Sequence, residues 1–170
     1  MSQIVTRIRV LLADDHALVR QCMRSALEAY PNVQVVREVN DGDEAVEATS
    51  RLLPTVVLMD VNMNKMDGIT ATRLIKEKHP EIIVIGLTAC PKDYQLYAMR
   101  KAGAFDVLSK DNAVYELYGS IQRAVAAIKP IFVLEEDASS SLLVRPPEVS
   151  SPGDTIELSS IQNKDQKIQK

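Results

Sequence analysis

Short apolar runs alternate with amphipathic stretches five times over the first 129 residues. The runs are rich in Val, Ile and Leu, as buried parallel strands are. They predict strands at about 7–13, 33–39, 55–60, 82–87 and 104–109. Repeated strand–helix units join parallel strands through right-handed crossovers. The pattern therefore predicts an α/β fold, with a doubly wound five-stranded parallel sheet and helices on both of its faces.

Capping and proline signals predict where the helices begin and end. The first helix is expected over about 16–30, where apolar residues recur at helical spacing. Asp41, followed three residues later by Glu44, predicts a capping box at the start of the second. Pro91 suits the first position of the fourth helix. The fifth is predicted over about 111–129.

Polar side chains stand at the ends of four of the five apolar runs. The pair Asp14 and Asp15 ends the first run, Asp60 the third, Thr88 the fourth and Lys110 the fifth. Open α/β sheets bind ligands at the carboxyl ends of their strands. Three carboxylates, one hydroxyl and one amine at that edge predict a site for a divalent cation and a phosphoryl group.

Each of these residues also has an ordinary structural explanation. An Asp after a strand is commonly a turn or cap residue, and an acidic pair often begins a helix. Thr88 alone would be a strand-end hydroxyl, and Lys110 alone a solvated charge. Their joint occurrence at successive strand ends favours the site. His16 is interpreted as a helix-start residue rather than a metal ligand.

Several separated motifs resemble the response-regulator receiver domain of two-component signalling. The matching segments are 11–16, 60–68, 87–89 and 110–111. The amino-acid sequence of segment 14–20 most resembles the LuxR/NarL-type subfamily. The resemblance covers about residues 7–129. It implies a flavodoxin-like (βα)5 fold with strand order 2-1-3-4-5.

The resemblance implies that Asp60 is the phosphoacceptor, a nucleophilic carboxylate. Asp15, Asp60 and the backbone carbonyl of Asn62 would ligate Mg²⁺, and Asp14 would act through water. Mg²⁺ suits such oxygen ligands and retains several waters. The Mg²⁺ cofactor is therefore an expectation from the family.

Two further residues acquire roles from the same resemblance. Lys110 would pair with a phosphoryl oxygen, and the Thr88 hydroxyl would bond another oxygen once the phosphoryl group is present. The phosphodonor would be a sensor histidine kinase. The receiver would assist its own phosphorylation and dephosphorylation without being an enzyme.

Three positions depart from the family pattern. Asn64 stands where proline is usual, which predicts a looser loop after Asp60. Val107 stands where an aromatic residue commonly couples to the switch hydroxyl, and Asp106 where this subfamily often has glycine. These departures leave phosphorylation expected but predict an altered conformational response.

Composition changes after Lys129, so residues 1–129 are predicted as the receiver and 130–170 as a linker or tail, largely disordered. The tail holds four of the eight prolines and carries the whole net charge of −3. LuxR/NarL-type regulators continue into a helix-turn-helix domain, and 157–160 resembles the approach to it. The residues that follow are too few for one. We therefore expect a missing or truncated output domain and no specific DNA binding.

Composition also bears on location. Cys22 and Cys90 form no CxxC motif, and the N-terminus does not resemble a secretory signal, so a cytoplasmic location is expected. No apolar stretch approaches the roughly 20 residues of a membrane span.

Two alternative functions stay open at this stage. One is a receiver-like scaffold that is not phosphorylated. The other is a haloacid-dehalogenase-type phosphatase, although that family resembles D-x-D on its first strand and the pattern here is Asp60-Val61-Asn62 on the third.

Partner binding is expected at the face formed by helix 4, strand 5 and helix 5, through which receivers commonly pair. The two helices hold four of the five tyrosines: Tyr94, Tyr97, Tyr115 and Tyr118. Tyrosine is enriched in interfaces. A homodimer or a regulator partner is therefore predicted at this face.

Overall fold

A computed structural model describes residues 7–128, which form five strands and five helices in strict alternation. The strands are β1 (Ile8–Ala13), β2 (Val33–Val39), β3 (Val56–Asp60), β4 (Ile83–Thr88) and β5 (Asp106–Ser109). The helices are α1 (Ala17–Glu28), α2 (Gly42–Leu52), α3 (Gly68–Lys78), α4 (Asp93–Lys101) and α5 (Lys110–Ile128). The predicted tail at 130–170 lies outside the described residues.

The strands form one parallel sheet in the order β2-β1-β3-β4-β5. The predicted flavodoxin-like fold and strand order are therefore confirmed. The order reverses direction at β1 and β3, which lie side by side in the sheet. Ligands of open α/β sheets bind at such a switch point, so the fold directs attention to Asp14 and Asp60.

The sheet is covered on both faces by apolar side chains of the helices. Alternating strand residues point to opposite faces, so Leu12 and Leu58 pack with α1 and α5, whereas Leu11 and Val57 pack with α2, α3 and α4. Burying one such side chain contributes about 1.5–3 kcal/mol. These contacts fix the sheet edge on which the polar residues stand. None of the helices between residues 7 and 128 has the length and apolar character that a membrane crossing requires.

One predicted helix start and one predicted capping box differ from the structure. Helix α4 begins at Asp93 with Lys92 as its N-cap, so Pro91 precedes the helix instead of opening it. Asp41 is the N-cap of α2 as predicted, but the backbone N–H of Glu44 donates to Asp43. The predicted capping box is not formed, because the Asp41 carboxylate is engaged elsewhere.

The four tyrosines of α4 and α5 do not share one surface. Tyr94, Tyr97 and Tyr115 are exposed. Tyr118 instead stacks on Tyr30 with ring centroids 3.5 Å apart, and its hydroxyl donates to the Asn32 side chain. Tyr118 therefore belongs to the packing of α5 against the α1 side of the sheet, and it does not contribute to the predicted partner face.

Candidate functional site

Two buried carboxylates stand at the carboxyl ends of the central strands. Asp60 is the last residue of β3 and is 2% exposed, and Asp14 follows β1 and is 3% exposed. The Asp14 backbone N–H donates to Val39 at the end of β2. Neighbouring parallel strands bring the two side chains to the same edge. Unpaired carboxylates are rarely so deeply buried, so their partners decide what the site can do.

Lys110 joins the two carboxylates. Its Nζ lies 2.7 Å from Asp14 Oδ2 and 2.8 Å from Asp60 Oδ2. Lys110 begins α5 directly after β5, and this position places its amine at the edge formed by β1 and β3. The structure thus brings together three residues that the sequence predicted to share a site.

Burial and these ion pairs shift the pKa values of both partners. Burial raises the pKa of the Asp60 carboxyl, and the charge of Asp14 adds to this, while Lys110 opposes it. Burial alone would lower the pKa of Lys110, but the Asp14 and Asp60 carboxylates outweigh it and raise that pKa. Lys110 is therefore a cation at neutral pH, bound between two acidic groups.

The acidic groups exceed the positive charge available to them. Ligand atoms of Asp14, Asp15, His16 and Asp60 lie within 4.8 Å of one another. Three carboxylates and one ammonium leave two negative charges. Asp14 Oδ2 and Asp15 Oδ1 are buried, and each contacts a side-chain nitrogen: Lys110 Nζ at 2.7 Å and His16 Nδ1 at 2.6 Å. Oxygen donors of this kind fit a hard divalent cation such as Mg²⁺.

His16 lies closer to the acidic groups than the sequence indicated. It is the N-cap residue of α1, as predicted for a helix-start residue. Its ring Nδ1 also lies 2.6 Å from Asp15 Oδ1 and 3.5 Å from Asp14 Oδ1. The imidazole therefore borders the site on its solvent side. Its position directly after two acidic residues was the sequence signal for this contact.

Residues just after Asp60 contact both sides of the site. The backbone N–H of Asn62 donates to Asp60 Oδ1 at 3.2 Å. The Asn62 side chain accepts a hydrogen bond from Gln95 of α4, and the Asn64 side chain donates to Asp15 Oδ2 at 2.8 Å. Gln95 was not singled out in the sequence, because only the folded chain brings it to Asn62.

The loop between β3 and α3 is tied to the start of α2 by hydrogen bonds, and the looser loop predicted from Asn64 stays a prediction. The buried Asp41 carboxylate accepts backbone N–H bonds from Lys65 and Met66, both at 2.9 Å, and from Gly42 at 2.8 Å. A Cβ atom at Gly68 would overlap the Asp60 carbonyl oxygen, so the chain returns close to Asp60. Asp41 and the Asn64 contact with Asp15 therefore hold this loop from two sides.

Thr88 stands beside the carboxylates but its hydroxyl is engaged locally. Thr88 ends β4, next to Asp60 at the end of β3, and is fully buried. Its Oγ1 donates to the Cys90 carbonyl oxygen at 3.2 Å and accepts the Cys90 N–H at 3.3 Å. A new partner for this hydroxyl must therefore compete with the turn that begins the β4–α4 loop.

The two departures in β5 have structural partners. Val107 packs with the α2–α4 side of the core, and a Cβ atom at Gly86 would lie 2.8 Å from Met99 and 3.2 Å from Val107. Asp106 accepts hydrogen bonds from Ser120 at 2.8 Å and Arg123 at 3.2 Å. The aliphatic Val107 and Met99 side chains therefore fill the space beside Gly86, and Asp106 ties β5 to α5.

Comparison with known families finds one match that covers most of the described residues. The family model "Response regulator receiver domain" matches residues 10–122. The chain is similar to the transcriptional regulatory protein LiaR of Bacillus subtilis, with 40% identity over 117 residues. That alignment covers 69% of this chain and 56% of LiaR, so the chain spans little more than half the length of that relative.

Solved structures agree with the family match. The response regulator domain of Thermotoga maritima CheB has a TM-score of 0.67 at 30% identity, over 71% of this chain and 97% of that domain. The receiver domain of the response regulator NarL from Mycobacterium tuberculosis has a TM-score of 0.65 at 29% identity, over 72% and 97% of the two chains. These matches favour neither the phosphatase nor the scaffold alternative.

Proposed function

This chain belongs to the response regulator receiver family, and from that premise we propose that Asp60 is its phosphoacceptor. The observation that carries the proposal is the shared position of Asp14 and Asp60 on Lys110 at the switch point of the sheet. Lys110 partly balances the negative charge of this buried carboxylate. The carboxylate can therefore approach an anionic phosphoryl group with less charge repulsion. Positioning and charge balance are the main sources of rate in phosphoryl transfer.

The proposed reaction transfers a phosphoryl group from a phosphohistidine of a sensor histidine kinase. An Asp60 carboxylate oxygen forms a bond to phosphorus, the phosphorus–nitrogen bond breaks, and the histidine leaves with the electron pair and takes up a proton. Lys110 then exchanges its contact with the Asp60 carboxylate for a phosphoryl oxygen. Its raised pKa keeps the amine protonated throughout.

The residues present fit a bound Mg²⁺. Asp15, Asp60 and the Asn62 carbonyl would hold it, with Asp14 acting through water. When bound, the ion would neutralise charge on the phosphoryl oxygens. The clustering of the Asp14, Asp15 and Asp60 carboxylates supports this assignment.

Thr88 would report the phosphorylated state. Its hydroxyl would leave the Cys90 carbonyl and donate to a phosphoryl oxygen. Because the same hydroxyl fixes the first residues of the β4–α4 loop, the exchange would release that loop. This step separates the readout of phosphorylation from the chemistry at Asp60.

Labelling with a small phosphodonor tests the proposal directly. The protein is incubated with Mg²⁺ and acetyl phosphate, and its intact mass is measured. We expect a gain of one phosphoryl mass, which EDTA and Asp60→Asn abolish. Asp43→Asn is the matched control, because Asp43 is an exposed carboxylate in the first turn of α2. Equal labelling of Asp60→Asn and the parent would exclude Asp60 as the phosphoacceptor.

A role in transcription regulation is supported by the similarity to LiaR, which is named a transcriptional regulatory protein. We propose that the receiver acts on a regulator through protein contacts. The cytoplasmic location predicted from the sequence fits this role and stays a prediction.

The proposed contact surface is the exposed tyrosine face of α4 and α5, formed by Tyr94, Tyr97 and Tyr115. Their exposed fractions are 64%, 68% and 87%. Aromatic side chains this exposed offer apolar area to a partner at low entropic cost. A second copy of the chain, or a related regulator, is the partner that the family supports.

A further inference from the structure

Gln95 is a buried polar side chain at the start of α4, and the proposed function gives it no role. It is 9% exposed, and its Nε2 donates to Asn62 Oδ1 at 3.0 Å. Gln95 lies in the first turn of α4, and Asn62 lies in the loop that follows Asp60. A hydrogen bond between two neutral groups in a partly buried place contributes about 0.5–1.5 kcal/mol. The bond is therefore strong enough to bias where the loop and the helix lie.

Asn62 faces the site through its main chain while its side chain faces α4. Its N–H donates to Asp60 Oδ1, and its carbonyl is the proposed Mg²⁺ ligand. The side-chain amide and the main chain meet at one Cα atom, so holding the amide restricts the orientation of the peptide groups. We propose that Gln95 is a positioning residue that holds Asn62 in the geometry needed for Mg²⁺ and for the phosphoryl group.

The same bond gives α4 a direct connection to the site. The far end of α4 is fixed by Met99, which is fully buried and accepts a long contact from Thr72. At the near end, the side chain of the N-cap residue Lys92 makes no capping hydrogen bond. Gln95 therefore supplies a side-chain hydrogen bond that ties this first turn to the loop after Asp60. Displacement of Asn62 is transmitted to this turn, which also carries Tyr94.

The residue at position 107 of β5 makes the Asn62–Gln95 hydrogen bond important for linking the site to α4. Val107 offers no ring that could turn between a buried and an exposed position, and it packs beside Met99 and Gly86. The route from the site to α4 through Asn62 and Gln95 does not depend on residue 107. The inference rests on the proposed function, because it assigns Asn62 to the metal site of the receiver.

A double-mutant cycle on Mg²⁺ affinity tests the inference without any phosphodonor. Titration calorimetry measures the Mg²⁺ dissociation constant of the parent, Asn62→Ala, Gln95→Met and the double variant. Gln95→Met keeps an unbranched side chain of similar length, and Asn62→Ala keeps the backbone carbonyl. We expect each single variant to weaken Mg²⁺ binding about threefold to tenfold. The double variant should be no weaker than the weaker single variant, because both remove the same bond.

Amide hydrogen exchange supplies a second readout. In the parent, Mg²⁺ should slow exchange in residues 93–97, and Gln95→Met should remove that protection. Arg100→Ala is the matched control, because Arg100 is an exposed residue of the same helix. It should leave both the Mg²⁺ affinity and the protection unchanged. Thermal unfolding shows that each variant is folded.

Two outcomes would overturn the inference. One is a double variant whose loss of affinity equals the product of the two single losses. The other is Mg²⁺ protection of residues 93–97 that survives Gln95→Met. Failure of Asp60 to accept a phosphoryl group would contradict the proposed function alone, because both measurements here are made with Mg²⁺ and no phosphodonor.

Discussion

The hydroxyl of Thr88 donates to the carbonyl oxygen of Cys90 and accepts the N–H of the same residue, at 3.2 and 3.3 Å. Thr88 thus closes a small turn at the end of β4 while it borders the carboxylate site. Removing the hydroxyl frees the turn but touches none of the groups that balance charge on Asp60. Thr88 should therefore matter for the response and little for the chemistry.

We expect Thr88→Ala to keep acetyl-phosphate labelling of Asp60 within about fivefold of the parent, since a neutral hydrogen bond contributes about 1 kcal/mol. The change in hydrogen exchange of residues 89–92 on adding beryllofluoride and Mg²⁺ should disappear. Thr88→Ser keeps the hydroxyl and is the matched control. Complete loss of labelling in Thr88→Ala would contradict the division between readout and chemistry.

Lys110→Ala is expected to impair both steps. It removes the cation between Asp14 and Asp60, and it removes the proposed partner of a phosphoryl oxygen. Labelling by acetyl phosphate should fall at least tenfold, because a charge-assisted hydrogen bond contributes about 1.5–3 kcal/mol. Time courses of intact mass measure the labelling, with Lys92→Ala on the exposed N-cap of α4 as control. Labelling at the parent rate would remove Lys110 from the mechanism.

Asp60→Asn should stabilise the protein in the absence of divalent cations. Burial raises the pKa of Asp60 above its ordinary value of 3.8, so the folded state holds its proton more tightly than the unfolded state does. The free energy of unfolding is therefore largest at acidic pH. It falls as the pH rises from the ordinary pKa of an Asp carboxyl through the raised pKa of Asp60 in the folded state. At neutral pH the charged carboxylate is a net cost, which asparagine removes.

Thermal unfolding in EDTA at several pH values measures this effect. The Tm of Asp60→Asn should exceed that of the parent at pH 7, and the difference should shrink as the pH falls. Added Mg²⁺ should stabilise the parent more than the variant, because it binds the folded state. A variant that is less stable than the parent at pH 7 in EDTA would contradict the assigned direction of the pKa shift.

Asp41→Asn should destabilise the protein by about 1–3 kcal/mol. Burial would raise the pKa of Asp41, but the backbone N–H groups of Lys65, Met66 and Gly42 outweigh it and hold the pKa below its ordinary value. Asp41 therefore contributes stability above the ordinary pKa of 3.8, and that contribution is lost as the pH falls through the lowered folded value. In the variant, an amide nitrogen would face one of these N–H donors.

Urea unfolding at pH 7 and at acidic pH checks this prediction. The stability difference between the parent and Asp41→Asn should be largest near neutral pH and should diminish below about pH 4, where the parent carboxyl gains a proton. Asp43→Asn should change stability little, because Asp43 is an exposed residue in the first turn of α2. Equal stability of Asp41→Asn and the parent at pH 7 would show that the three N–H bonds do not depend on the carboxylate.

The exposed tyrosines predict association that depends on phosphorylation. Sedimentation velocity with beryllofluoride and Mg²⁺ should show a dimer or a complex that the unmodified protein does not form, and Tyr97→Ala should weaken it about tenfold or more, as for an interface anchor. Tyr118→Ala should reduce stability instead, because Tyr118 packs on Tyr30. A monomer in every condition would exclude self-association through this face.

The sheet and its edge could be predicted because they follow from local patterns. Apolar runs give the strands, and the parallel order carries Asp14, Asp60 and Lys110 to one edge whatever the details of packing. The exact first residue of a helix follows less directly from the sequence than the strands do. Pro91 precedes α4 because the N-cap is Lys92, and both positions are compatible with the same sequence pattern.

The residues that the sequence did not reveal act through contacts between distant segments. Gln95 is one polar residue on an amphipathic helix until the fold brings it to Asn62, 33 positions away. Asp41 was recognised as a cap, but its bonds to Lys65 and Met66 depend on how two loops meet. Tyr118 faces the α1 side of the sheet because of how α5 is rotated about its axis. Helical spacing predicts which residues of α5 share a face, but not which neighbouring element that face packs against.

The buried Asp41 carboxylate gives the molecule a mechanical asymmetry. It fastens the loop after Asp60 to the start of α2, and a Cβ atom at Gly42 would overlap the Met66 carbonyl oxygen, so that flank has no room to yield. On the opposite flank, the Asn62–Gln95 pair is the one side-chain hydrogen bond between this loop and α4 among residues 7–128. When Asp60 is modified, we therefore expect the loop after it to move toward α4, while its contacts with α2 stay in place.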